Sequence, residues 1–217
     1  MKSLKLKAIA FFIDKKDKVV DVGCDHAYLD IYLAKNNLCK NIIASDINEN
    51  ALNNAKKNIA KYNLIKKIKC ILSDGINEIN VKDINTVVIA GMGTKTIKHI
   101  ISNKEKFKNI DKIIISSNND QYLLRNFMNK NHYYLEDEKI VFDKNHYYVI
   151  SKYKHGKQKL NNKELMFGKY KLENKNYYEY LFKENKKILE KIPFTKFKAR
   201  KKIKKENKIL KKYLNIK

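Results

Sequence analysis

Five short β-branched runs, each followed by a stretch with helical spacing, set most of what this chain can become. Val19–Val22, Asn41–Ser45, Lys69–Ser73, Thr86–Ala90 and Lys112–Ile115 read as buried strands, being short and mostly apolar. Tyr28–Lys35, Glu49–Tyr62, Thr94–Ile101 and Gln121–Met128 read as the helices between them. Strand, helix and next parallel strand connect in a right-handed crossover, so the alternation predicts an α/β sheet wound on both faces. Two later apolar runs, Tyr133–Phe142 and Tyr147–Tyr153, flank the turn-forming Asp143-Lys144-Asn145 and predict an antiparallel hairpin at the sheet's end.

The 217 residues suffice for one α/β domain of about 150 residues and a smaller appendage. The opening MKSLKLKAIAFFIDKK has the lysines of a secretory leader, but its apolar run is only Ala8–Ile13 before Asp14. An amphipathic first helix with Leu6, Ile9, Ala10 and Ile13 inward is the better reading. No apolar run approaches the roughly 18 residues that span a bilayer. Cys24, Cys39 and Cys70 lack CxxC or Cys/His ligand spacing, so neither structural zinc nor a disulfide framework is expected, and a reduced cytoplasmic setting fits. Nothing points to a membrane, a metal or an obligate protein partner.

After Ser151 the composition turns rich in lysine and asparagine. The expected organisation is therefore a sheet domain over 1–153 and a basic helical appendage over 154–217. In the appendage Tyr177, Leu181, Ile188 and Ile192 recur at helical spacing, Pro193 breaks the helix, and Ile203, Leu210 and Leu214 mark a second one. The pair reads as an antiparallel helical hairpin resembling a short coiled coil.

The formal net charge is +25, with Arg125 and Arg200 the only arginines. An AT-rich genome inflates Lys, Asn and Ile everywhere, but it does not sort charge along a chain. Residues 152–217 hold 23 basic and 6 acidic side chains, a net of +17, against +8 for the first 151 residues. Such a one-sided basic surface is the electrostatic footprint of a phosphate backbone. Lys196, Lys198, Arg200 and Lys201, with Arg125 in the sheet domain, are the candidate RNA contacts.

The candidate small-ligand site begins in VVDVGCDHAYLD, residues Val19–Asp30. Ligands of open α/β sheets bind outside the carboxyl ends of the strands, where Asp21, the turn residue Gly23, and Asp25, His26 and Tyr28 are expected. The glycine-rich signature is incomplete, since Asp25 and Ala27 stand where glycine is common. Asp46 ends the second strand, where an acid commonly accepts from ribose hydroxyls, and Ile47 follows it. Asp74-Gly75 follows the third strand, where a carboxylate can accept from an adenine amino group. Three acids after three strands point to an adenosine-containing cofactor, without separating S-adenosylmethionine from a dinucleotide. Ala90 and Gly91 end the fourth strand, Met92 offers an adaptable apolar wall, and Asn118 after the fifth strand can meet a base edge.

A parallel sheet ending in an antiparallel hairpin is the outline of the class I methyltransferase fold, a Rossmann-like seven-stranded sheet. Ordinary dinucleotide-binding domains lack that hairpin. The chain resembles the bacterial tRNA (adenine-22-N1)-methyltransferases, the TrmK family. The resemblance rests on DVGCDHAYL at Asp21–Leu29, AGMG at Ala90–Gly93, Asn118 and Arg125 after the fifth strand, and FG at Phe167–Gly168. Cys24 replaces the family's usual serine, Asp30 a proline, and Ser116-Ser117-Asn118 the common Gln-Pro-Asn.

The resemblance implies S-adenosylmethionine as cofactor and N1 of an adenine in tRNA as acceptor. N1 carries a lone pair, so catalysis would rest on positioning and support of the growing positive charge rather than a strong base. Asp25 would hold the adenine amino group, His26 orient the base or later take a proton, and Tyr28 give a stacking wall. The competing readings are a methyltransferase for another RNA or a protein, and a non-catalytic RNA-binding protein that keeps the fold. The intact Asp21, Gly23, Asp46 and Asp74 weigh against the latter.

Overall fold

A computed structural model describes residues 3–216. Met1, Lys2 and Lys217, the ends of the two expected domains, lie outside the described residues. The β-branched runs become β1 (Lys18–Val22), β2 (Asn41–Asp46), β3 (Ile68–Leu72), β4 (Thr86–Met92) and β5 (Lys112–Ser117), followed by β6 (Tyr133–Asp143) and β7 (His146–His155). They pair as one seven-stranded sheet in the order β3-β2-β1-β4-β5-β7-β6. The first five strands are mutually parallel, and β7 runs antiparallel to both β5 and β6. Lys144 and Asn145, with φ of +49° and +64°, make the two-residue hairpin turn, the backbone whose twist matches its flanking strands.

The helices of this unit are α1 (Leu4–Ala10), α2 (Tyr28–Lys35), α3 (Glu49–Lys61), α4 (Thr94–Ile101), α5 (Lys104–Phe107) and α6 (Gln121–Lys130). Strand side chains alternate between faces. Val19, Ile42, Ala44, Val88 and Ile114 therefore share one core with Ile9, Leu33 and Leu52 of α1, α2 and α3. Val20, Ile43, Val87, Ile89, Ile113 and Ile115 share the other with Ile97, Phe107, Leu124 and Met128 of α4, α5 and α6. Burying each such Ile or Val stabilises the fold by about 1.5–3 kcal/mol.

Several boundaries differ from expectation. The first helix stops at Ala10, and Ile13 is buried from the turn beyond it. β4 runs two residues past Ala90, with a bulge between Ala90 and Met92 where Gly91 adopts φ +89°. Buried Lys112 anchors the segment after α1, its Nζ lying 2.6 Å from Asp14 Oδ2 and 2.7 Å from Asp17 Oδ2.

A first compact unit ends at Lys159 and a second begins at Leu160. β7 continues through His155, past the expected boundary at Tyr153. The second unit contains α7 (Asn162–Phe167), α8 (Lys175–Lys191) and α9 (Phe197–Leu214). Asn161 and Glu164 form a capping box that starts α7. α8 ends before Pro193, whose ring pushes Ile192 to an extended ψ of 128°. The core of this unit is Phe167, Tyr178, Phe182, Ile209, Leu210 and Leu214. The expected stripe on α8 was one residue out of register: Tyr178 and Phe182 are buried, while Tyr177 and Leu181 are half-buried and Ile188 is exposed. Adjacent apolar pairs, Tyr177-Tyr178 and Leu181-Phe182, left that choice open to periodicity. Among the described residues no helix is long and apolar enough to cross a membrane.

Candidate active site

Between β1 and α2 the chain turns left-handed three times, at Gly23 (φ +74°), Asp25 (+47°) and Ala27 (+54°). These alternating positions are where a glycine-rich signature would put glycines, so the backbone path survives although two glycines do not. For Asp25 and Ala27 this conformation costs on the order of 1–3 kcal/mol each. Hydrogen bonds hold the loop against that cost. The Gly23 and Cys24 amides donate to Ser45 O at 2.8 and 2.9 Å, the Asp25 amide to Asp46 Oδ2 at 3.2 Å, and Asn58 Nδ2 to His26 O at 3.1 Å. A Cβ on Gly23 would run into Cε of Met92, so the loop and the end of β4 pack too closely for a side chain there.

Above the loop lies a cleft of about 160 Å³ that gathers six of the anticipated residues: Asp21, Gly23, Asp25, His26, Tyr28 and Ala90. The rings of His26 and Tyr28 stack with centroids 5.3 Å apart. His26 Nε2 lies 3.6 Å from Asp25 Oδ2, and these two side chains are 42% and 66% exposed. α1 covers the cleft with Lys5, Leu6 and Ile9. Lys5 was not anticipated; its signal was a lysine one helical turn before inward-facing Ile9. Burial lowers the Lys5 pKa, opposed by Asp21 and Asp143. An adjoining hollow of about 700 Å³ shares Lys5, Leu6 and Tyr28 and adds Tyr148 and Lys144 from the hairpin. Another hollow, about 540 Å³, sits by Lys40, Lys66 and Lys69 at the amino ends of β2 and β3, the wrong end of the strands for a ligand of this fold.

Asp21 has the parity of Val19 and so points to the α1–α2 face. There it meets Asp30, which is fully buried in α2. Burial lifts the Asp21 carboxyl to about 7 and, with the Asp21 charge, lifts Asp30 well above the usual carboxylate range. In the sequence Asp30 stands out only as a departure from proline, and nothing there signals its burial.

Asp46 is buried at the end of β2, and its Oδ1 accepts from the Asn48 amide at 2.9 Å while Oδ2 holds Asp25. Ile47 beside it is 68% exposed. Asp74 and Gly75 follow β3 in the same row of strand ends, and Gly75 takes φ +62°. None of these four lines the small cleft. Neither do Gly91, Met92 and Asn118, which lie at the ends of β4 and β5. Asn118 Nδ2 donates to Gly91 O at 2.6 Å and its amide to Met92 O at 2.9 Å. With the side-chain nitrogen thus engaged, Oδ1 is the group Asn118 can offer a base.

The RNA candidates divide. Lys196, Lys198 and Lys201 are exposed. Arg125 is not available to a phosphate: it is 1% exposed, and its Nε and Nη2 both lie 2.9 Å from Glu138 Oε1. Ser151 Oγ donates to the same oxygen at 2.6 Å, so Arg125 ties α6 to the β6–β7 hairpin. Arg200 is half-buried, and its Nη1 donates to Leu189 O at 2.8 Å and Ile192 O at 2.6 Å, satisfying carbonyls that the end of α8 leaves open. It braces the hairpin turn instead of presenting a free guanidinium.

A family model described as a methyltransferase domain matches residues 2–151. TrmK of M. capricolum, solved with S-adenosyl-homocysteine, is 32% identical, with 100% of this chain and 99% of that chain covered and a TM-score of 0.83. The chain belongs to the TrmK family. A Bacillus subtilis protein named tRNA (adenine(22)-N(1))-methyltransferase is 31% identical over 140 residues, 64% of this chain and 59% of that protein. The match thus spans under two thirds of this curated TrmK relative. A Streptococcus agalactiae structure described as a protein in the NADB-Rossmann superfamily superposes with a TM-score of 0.89 at 28% identity, covering 99% of this chain and 97% of that one.

Proposed function

We propose that this protein transfers a methyl group from S-adenosylmethionine to N1 of an adenine in tRNA, position 22 by analogy with the B. subtilis relative. The observation that carries the reading is the cleft itself: Lys5 and Asp21 at its inner wall, with Asp25, His26 and Tyr28 open at its mouth. A lysine and a carboxyl side by side suit the carboxylate and ammonium of an amino-acid moiety. The left-handed loop at Gly23 admits a ligand close to the backbone, and Asp46 and Asp74 extend the row toward a ribose and a base. When bound, S-adenosylmethionine supplies an electrophilic methyl group.

The protein's own residues then position and stabilise. Adenine N1 attacks through its lone pair, so no proton has to leave first, and the product ring carries a positive charge. Asp25 accepts from the adenine amino group and favours that charge. Tyr28 backs the base, His26 steers it, and Asn118 offers Oδ1. Asp21, Gly23, Asp46, Ile47, Asp74, Gly75, Ala90 and Gly91 hold the donor, and Met92 closes the apolar side. N1 lies on the pairing edge, so the adenine must leave its stack before transfer. The unit beginning at Leu160 serves as the RNA-binding appendage, with Lys196, Lys198 and Lys201 on phosphates, which makes tRNA affinity fall steeply with salt.

The test is incubation of the full-length protein with labelled S-adenosylmethionine and unmodified tRNA, followed by mapping of the modified base. One N1-methyladenine is expected. No label in tRNA, or label on another atom, would sink the reading.

A further inference from the structure

The turn after α8 and the first residue of α9 carry two aromatic rings with no core to enter: Phe194 is 78% exposed and Phe197 75%. Water is a poor environment for two phenyl rings three residues apart, and each, once covered, would contribute as a buried side chain does. Phe194 is not loose, however. The Arg200 guanidinium carbon lies 4.3 Å from its ring centroid, and Arg200 is itself fixed by its two bonds to Leu189 O and Ile192 O. One ring is thus held by a pinned cation and remains largely open to solvent. Around the pair, residues 186–205 contain ten basic side chains and one acid, Glu190. Lys191, Lys196, Lys198, Lys201 and Lys202 are all exposed.

We infer that this tip is a stacking platform for an unpaired nucleobase of the RNA substrate, with Phe194 and Phe197 taking the base and the neighbouring lysines its flanking phosphates. The inference rests on the tRNA reading above and adds to it a contact with a base rather than with phosphate alone. The chemistry favours this occupant. Every base has a π-face, so a ring held by a cation binds any of them, and the surrounding charge selects a polyanion. A duplex has no free base face to offer, so the platform selects loops and ends. Arg200 is then a positioning residue that acts through Phe194.

The experiment compares full-length wild type, Phe194→Ala/Phe197→Ala and Phe194→Tyr/Phe197→Tyr in binding unmodified tRNA across a salt series. A fully paired RNA duplex and anionic phospholipid vesicles are the controls. Both rings are exposed, so folding is not at stake, and S-adenosylmethionine affinity serves as the check. The alanine pair should weaken tRNA binding at least about tenfold, the range of a lost base stack, with the salt slope and duplex affinity unchanged. The tyrosine pair should bind like wild type. Unchanged tRNA affinity in the alanine pair, an equal loss on the duplex, or a loss confined to vesicles would overturn the inference. Should wild type methylate tRNA while the alanine pair keeps its KM, the platform alone fails. Should wild type neither bind nor methylate tRNA, the substrate reading fails and takes the platform with it.

Discussion

Asp21 and Asp30 bring two buried carboxyl groups against each other beneath the cleft, one from the end of β1 and one from the start of α2. The charges of Lys5 and Asp46 act on Asp21 in opposite senses, and the thiols of Cys24, Cys39 and Cys70 lie within the field of Asp30. Burial raises the Asp21 pKa to about 7, above its unfolded value near 4. A raised carboxyl contributes stability that is fully present below the unfolded value and is lost as pH rises through the folded one. Asp30→Asn removes one of the two charges, so this variant should gain on wild type between pH 5 and pH 8 by on the order of 1–3 kcal/mol. Urea unfolding at the two pH values measures it; a difference that does not move with pH would show that Asp30 ionises alike in the folded protein and the unfolded chain.

Asp25 sits at φ +47° with its side chain open to the cleft mouth. Asparagine tolerates that backbone and keeps the size, so Asp25→Asn removes charge without disturbing the loop. Methyl transfer should fall at least about tenfold in kcat, within the range of a lost electrostatic contact at a reacting centre, while S-adenosylmethionine Kd stays within about threefold. Single-turnover kinetics beside calorimetric titration separates the two, and a wild-type kcat would remove Asp25 from the chemistry.

Gly23→Ala meets two obstacles, a φ of +74° and the Cε of Met92. The backbone alone should cost about 1–2 kcal/mol, and donor affinity should drop about tenfold or more. Adding Met92→Ala clears the collision but not the conformation, so stability should return only in part. Full recovery in the double variant would mean that the collision, not φ, set the cost.

Lys112 is 5% exposed and Asp17 1%, and the two are 2.7 Å apart. Lys112→Met strands a buried carboxylate and should destabilise by about 3–5 kcal/mol. The double variant with Asp17→Asn should lose less than Lys112→Met alone, which thermal unfolding of the two variants would reveal. Equal losses would deny the pair its coupling.

The strands and most helices of the sheet unit were legible because a strand buried on both faces leaves a continuous apolar run. Tyr28–Lys35 and Thr94–Ile101 coincide with α2 and α4. The left-handed loop is half legible: Asp25 and Ala27 stand in glycine's places, but their positive φ is a property of the folded loop that residue type does not announce. Lys5 and Asp30 were hidden for one reason. Each is a charged residue on the inward face of a helix, and a polar symbol in a hydropathy pattern carries no direction. Arg125 and Arg200 mislead in the opposite way. Positive charge on a basic protein suggests phosphate, yet one guanidinium is spent on Glu138 and the other on main-chain carbonyls.

The tip of the β6–β7 hairpin reaches back to the first helix. Asp143 Oδ2 accepts from Ser3 Oγ at 2.7 Å and from the Lys5 amide at 3.1 Å. Those hydrogen bonds lower the Asp143 pKa. The segment that covers the cleft therefore precedes by 140 positions the residue that fastens it. A chain emerging from a ribosome can close this cleft only late: its cover waits for the hairpin, so the complete pocket forms with the last strands of the sheet rather than with the loop that bears the signature.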